Sequence, residues 1–167
     1  MGVIGVILSQ WMASVIFGMG AVYAAQLGFT VTEVAYFMAS IMAGGMFVQW
    51  PLGKVSDMID RRWVLGLSSV IALVAAALAS VETSATIRLY VLCFVFGGFC
   101  LSLYSVVAAL TNDHLRPSEI VPASGTMVLL SGLTSITGPI TVAYWMDVLG
   151  LQSYFLLLAV ALGLLAI

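Results

Sequence analysis

Fourteen residues, 49–62 (QWPLGKVSDMIDRR), constrain this chain more than any others, because they hold three of its five basic residues. Lys54, Arg61 and Arg62 stand there beside Asp57 and Asp60, and a long apolar run lies on each side. Ionised side chains do not lie unpaired in hydrocarbon. Pro51 and Gly53 are poor helix residues. The stretch therefore predicts a short charged turn between two membrane-spanning helices, the first ending near Trp50.

The rest of the chain supports a membrane setting. It is 63% hydrophobic and 7% charged, against about 25% charged residues in a soluble domain. Apolar runs recur to the end, so a secretory signal peptide cannot account for them. At roughly 20 residues per span, the length accommodates six helices. They are expected near residues 2–25, 33–50, 63–81, 87–110, 122–145 and 153–167, and the last stops without a charged anchor, as if cut inside its span. The fold class is an all-α polytopic membrane protein with the lipid bilayer as its first partner.

Several function classes drop out. A net charge of −2 supports no nucleic-acid partner. Cys93 and Cys100 are seven residues apart in one apolar run, about 10 Å of helical rise and too far for a disulfide. With one histidine and no ligand spacing, neither a metal nor another cofactor is expected. No cluster of histidine, acid and nucleophile falls at one depth, so an enzyme is not expected.

Small and polar residues mark four of the six helices. Helix one has Gly5, Ser9 and Ala13 at four-residue steps, with Gln10 and Ser14 alongside. Helix two has Tyr36, Ser40 and Gly44. Helix four has Gly97, Gly98, Tyr104 and Ser105, and helix five has Ser131, Ser135 and Gly138 before Pro139. Such groups should meet protein or water rather than lipid. Gln10, Tyr36, Tyr104, Ser131 and Ser135 are the candidates for lining a cavity near mid-membrane, against the alternative of bonding between helices. The four stripes together are expected to form one face covered by a second bundle. Helices three and six read as apolar all round, hence lipid-facing. Thr30 or Thr32 can cap helix two, with Glu33 in its first turn. Asn112, Asp113 and His114 could serve proton chemistry, but a polar turn at a helix end fits them better.

Orientation follows from lysine and arginine. Lys54, Arg61, Arg62 and Arg116 fall in the second and fourth loops, and only Arg88, at a helix edge, falls elsewhere. Both chain ends and the charged stretch should face the cytoplasm, in a bacterial inner membrane.

The charged stretch resembles the signature loop of the major facilitator superfamily of secondary transporters, G-x-x-x-D-x-x-G-R-R/K. Gly53, Asp57, Arg61 and Arg62 match it, while Asp60 stands where the second glycine belongs. Residues 49–53, and Leu103-Tyr104-Ser105 through Thr111-Asn112-Asp113, resemble the C-terminal half of the bacterial YcaD-like branch. The resemblance implies one six-helix half, a 3+3 inverted repeat, with the helices here as seven to twelve and the third and sixth outermost. It implies transport of a small solute by alternating access, with an N-terminal six-helix half or a second copy as partner. It further implies that Gly53, Asp57, Arg61 and Arg62 form a conformational latch, against the plainer reading of a solvated turn that only sets topology. A small apolar or weakly polar substrate is expected, because no midplane charge is available. The competing reading is a half-sized interaction or assembly subunit that does not transport.

Overall fold

The computed structural model describes residues 2–113, 116 and 120–166. His114, Pro117, Glu119 and Ile167 lie outside the described residues. Six helices follow in order: α1 (Gly2–Gln26), α2 (Val31–Met58), α3 (Arg61–Ser80), α4 (Ile87–Asn112), α5 (Ile120–Leu149) and α6 (Ser153–Leu165). Among the described residues the regular structure is all helical. The first five helices are long and apolar enough to cross a membrane; α6 is apolar but only 13 residues long.

The packing has an internal symmetry. The most extensive packing is between α2 and α4, followed by α3 on α4 and α1 on α5, and α3 also packs on α6. Exchanging the first three helices for the last three carries the α2–α4 contact onto α5–α1 and returns α3–α6 to itself. To that extent the packing repeats as 3+3, although the extensive α3–α4 packing has only a slight counterpart between α6 and α1.

Both principal crossings are built on residues too small to keep backbones apart. A Cβ on Gly44 would strike the Phe94 carbonyl, and one on Gly97 would strike the carbonyl of Ile41. Across the other crossing, a Cβ on Gly138 would collide with Ser14 Oγ, and one on Gly18 would come within 2.6 Å of the Pro139 ring. Lipid supplies no hydrophobic drive between helices, so such close approach is what holds the bundle. An aromatic cluster fills the core nearby. Tyr23 stacks on Tyr154 at 4.6 Å, and Phe155 meets Tyr23 and Phe96 edge-on. The Tyr154 hydroxyl is buried and finds no hydrogen-bond partner among the described residues.

Three expectations need correction. First, Pro51 and Gly53 do not end the second helix; α2 runs on to Met58. Proline removes only the bond to the carbonyl four residues back, and that carbonyl belongs to the exposed Phe47. Beyond it, Ser56 is buried and bonds back to the Gly53 carbonyl at 2.8 Å. The turn is only Ile59 and Asp60, so residues 61 and 62 open α3 instead of closing a loop.

Second, α3 is not apolar all round in the sense that matters. Ser68, Ala72, Ala75, Ala76 and Ala79 form a buried small-residue face, while Trp63, Leu67, Val70, Val74 and Leu78 are exposed. Helix α6 is likewise one-sided, burying Tyr154, Phe155, Leu158 and Leu162. At the start of α4, Arg88 Nε lies 3.1 Å from Glu82 Oε1. Third, the stripes on α1 and α4 and Gly44 of the α2 stripe are covered within this bundle, while Tyr36 stays exposed. Gly44 and Gly97 meet each other's helices, and Gly5 faces Val107 of α4.

Capping accounts for the starts of two helices. Thr30, not Thr32, caps α2 and makes a reciprocal capping box with Glu33. Thr86 caps α4 through its side chain.

Candidate functional site

Two clusters of polar groups survive the packing: one at the charged end of the bundle, one in the middle of the membrane-spanning region.

The charged cluster is centred on Arg61. As the first residue of α3 it lies one turn beyond Asp57, and Nη2 meets Asp57 Oδ1 at 2.9 Å. Its Nε meets Asp113 Oδ2, also at 2.9 Å. One guanidinium thus joins the end of α2, the start of α3 and the end of α4. Its planar fork suits two carboxylates approaching from different edges. The Arg61 side chain is only 23% exposed, whereas Asp57 is 68% and Asp113 52% exposed. An open cleft of about 390 Å³ is lined by these three residues with Ser56, Asp60 and Leu110.

Asp113 was expected to act at a helix end, and it is the C-cap of α4. A carboxylate at a helix C-terminus opposes the macrodipole. The bond to Arg61 offsets that cost and explains how an acid is accommodated there. The Asp57–Arg61 step can be read at i, i+4, whereas the reach to Asp113 depends on how α3 packs on α4.

Asp60 explains its own departure from the signature pattern. Its φ is −53°, so no glycine is needed, and its carboxylate accepts the Arg62 backbone N–H at 2.9 Å as the N-cap of α3. The Arg62 side chain is exposed, and Lys54 lies over the Trp50 ring at 4.1 Å. Gly53 sits on the outer surface of α2, where an added Cβ would meet nothing within 4 Å.

The second cluster joins α1 to α5. Gln10 Nε2 donates to Ser131 Oγ at 2.9 Å. One turn along, Ser14 Oγ donates to the Trp11 and Thr134 carbonyls at 2.8 and 3.0 Å. Ser135 is exposed and donates to the Ser131 carbonyl. So three of the five cavity candidates, Gln10, Ser131 and Ser135, come together. The other two do not join them. Tyr36 lies in the second turn of α2, at one end of the bundle, edge-on to Tyr90 at 6.2 Å. It is not at mid-membrane, because α2 starts earlier and ends much later than expected. Tyr104 is half-buried on α4 and makes no hydrogen bond with the cluster. Ser14 and Thr134 belong to the cluster and were not among the candidates. The signal for Ser14 was its four-residue step from Gln10, which puts both on one helix face.

Comparison with known proteins accords with this geometry. The Major Facilitator Superfamily matches residues 2–167. The uncharacterized MFS-type transporter YE1530 of Yersinia enterocolitica is 24% identical over 139 residues, covering 83% of this chain and 35% of that protein. The uncharacterized MFS-type transporter YcaD of Salmonella arizonae is 23% identical over 159 residues, covering 95% of this chain and 41% of that protein. The chain therefore spans well under half the length of these relatives. With the match running along nearly all of its residues, the chain belongs to the Major Facilitator Superfamily.

Proposed function

We propose that these helices are the C-terminal half of a secondary transporter, helices seven to twelve of the superfamily fold, and that they carry a small solute across a bacterial inner membrane by alternating access. Both ends of the bundle's chain and the Arg61 cluster face the cytoplasm, and a six-helix N-terminal half covers the open side. The protein binds and moves its solute without chemical conversion.

The observation that carries this reading is where the bundle is left uncovered. Among its membrane spans, α2 and α5 are the least buried and α4 the most. On α2 the exposed residues Met42, Met46, Gln49 and the half-buried Gly53 share one face. On α5 the exposed Gly125, Gly132, Ile136 and Ala143 do. An added Cβ on Gly53, Gly125 or Gly132 would meet nothing within 4 Å. The small residues set among Met42, Met46 and Ile136 on these faces let a covering protein approach closely.

The charged cluster then acts as the latch. Asp57 uses one carboxylate oxygen for Arg61, and its exposure leaves the other open to a helix N-terminus of the covering half. Asp113 holds Arg61 in place while that contact forms and breaks. A charge at a helix terminus contributes about 0.3–1 kcal/mol when exposed, a roughly two- to five-fold change in a two-state ratio.

The test is hydrogen–deuterium exchange of the intact transporter in lipid nanodiscs. Asp57→Asn should raise exchange at the charged ends of α2 and α4 and lower it at the opposite ends of α1 and α2. Equal exchange at both ends, with normal expression, would leave the charged stretch a role in topology alone and favour a subunit that does not alternate.

A further inference from the structure

The α1–α5 cluster carries information about the substrate, because its hydrogen-bond donors and acceptors are unevenly engaged. Every hydroxyl proton in it is already directed at a carbonyl. Ser131 Oγ donates to Met127, Ser135 Oγ and Thr134 Oγ1 to Ser131, and Ser14 Oγ to Trp11 and Thr134. Since Ser131 gives its only proton to its own helix, it can only accept from Gln10. That sets Gln10 Nε2 toward Ser131 and leaves the amide oxygen, Oε1, accepting no hydrogen bond among the described residues.

A second free acceptor comes from the backbone. Helix α5 is continuous from Ile120 to Leu149 with Pro139 inside it. Proline has no N–H, so the carbonyl of Ser135, four residues earlier, loses the donor it would otherwise have. Ser135 is on the exposed side of α5, so this carbonyl is not sealed in the core. An unpaired carbonyl at membrane depth is costly unless water or a ligand reaches it. No carboxylate lies at this depth: among the described residues Glu33, Asp57, Asp60, Glu82, Asp113 and Asp147 all sit within a turn of a helix end or in a loop.

Resting on the transport reading above, we propose that this cluster receives a neutral hydroxyl of the substrate, which donates its one proton to the Ser135 carbonyl and leaves Gln10 Oε1 open to a second donor. The surplus of acceptors selects a donor, and the lack of a carboxylate disfavours a cation, whose charge would have no partner in low dielectric. A substrate bearing only acceptors would leave these groups unpaired and bind more weakly by one hydrogen bond, roughly three- to ten-fold.

The experiment uses phenol and anisole, which differ by one donor. In the intact transporter, with Cys93 and Cys100 replaced by alanine, Ser135→Cys keeps the backbone carbonyl and reports occupancy through its alkylation by a water-soluble maleimide. Phenol should slow alkylation at concentrations about three- to ten-fold lower than anisole. Pro139→Ala restores an N–H to the Ser135 carbonyl and should shrink that difference. Equal protection by both probes, no protection by phenol, or a phenol preference unchanged by Pro139→Ala would each overturn the assignment while leaving transport standing. A cysteine at 135 that never reacts would mean this face meets no water, and the transport reading would fall with it.

Discussion

Gly97 and Tyr154 belong to one core and should respond to change in opposite ways. A methyl at Gly97 meets the Ile41 carbonyl, a backbone atom that no rotamer change can move aside. Gly97→Ala should therefore destabilise by about 1–3 kcal/mol or more, as overpacking does. Tyr154 buries a hydroxyl with no partner, and removing such a group leaves the stacked ring intact. Tyr154→Phe should unfold at an equal or higher temperature in detergent. A loss of more than about 1 kcal/mol there would mean the hydroxyl has a partner.

At this scale the sequence is readable where chemistry is local. The Asp57–Arg61 pair joins residues four apart across a two-residue turn, and the capping box pairs Thr30 with the third residue after it. Asp113 is the counter-example. Its bond to Arg61 joins residues 52 positions apart, and the packing of α3 on α4 brings them together.

Among the elements, the ends of helices were the least legible. Proline and glycine within residues 49–62 read as a stop, yet the helix passes through both. Near the membrane surface a carbonyl freed by proline can reach water, so the penalty that would break a buried helix is small. What stops α2 is the capping of α3 by Asp60, a signal at least as visible in the sequence as the proline. Helix α3 was misjudged for a different reason. Alanine counts as apolar in a hydropathy reading but as small in a packing reading, and in lipid the second property decides contact. Its residues 68, 72, 75, 76 and 79 carry the same small-residue spacing that marked α1. The consequence is testable within one helix. Ala75 is 3% exposed and Ala77 exposed, so Ala75→Leu should cost about 1–3 kcal/mol and Ala77→Leu almost nothing. Thermal unfolding of the two variants compares them directly. Equal effects would mean that α3 does not pack by its alanine face.

At the scale of the whole molecule, some of the polar and small features noted in the sequence hold the bundle together and others remain available. The two parallel crossings absorb Gly44 and Gly45 of α2, the glycines of α4 and the serines of α1. The uncovered residues of α2 and α5, the Arg61 cluster and the α1–α5 acceptors are what the bundle does not use for its own packing. Composition alone could not make that division, because a glycine that lets two helices touch inside the bundle looks the same as one that waits for another bundle. Gly44 and Gly132 are such a pair: the first meets Phe94 and Gly98, the second nothing.

Alternating access makes a specific demand on α5. Gly125 and Ala143 are both exposed and stand 18 residues apart, five helical turns and about 27 Å, so they lie on one face near opposite ends. Single cysteines at these positions, with Cys93 and Cys100 replaced, can be alkylated by a water-soluble maleimide in the intact transporter. With and without Asp57→Asn, the two rates should move in opposite directions, position 125 reacting faster and position 143 slower when the latch is weakened. Rates that rise or fall together, or two cysteines that react only with a membrane-permeant reagent, would contradict a face that opens alternately to the two sides.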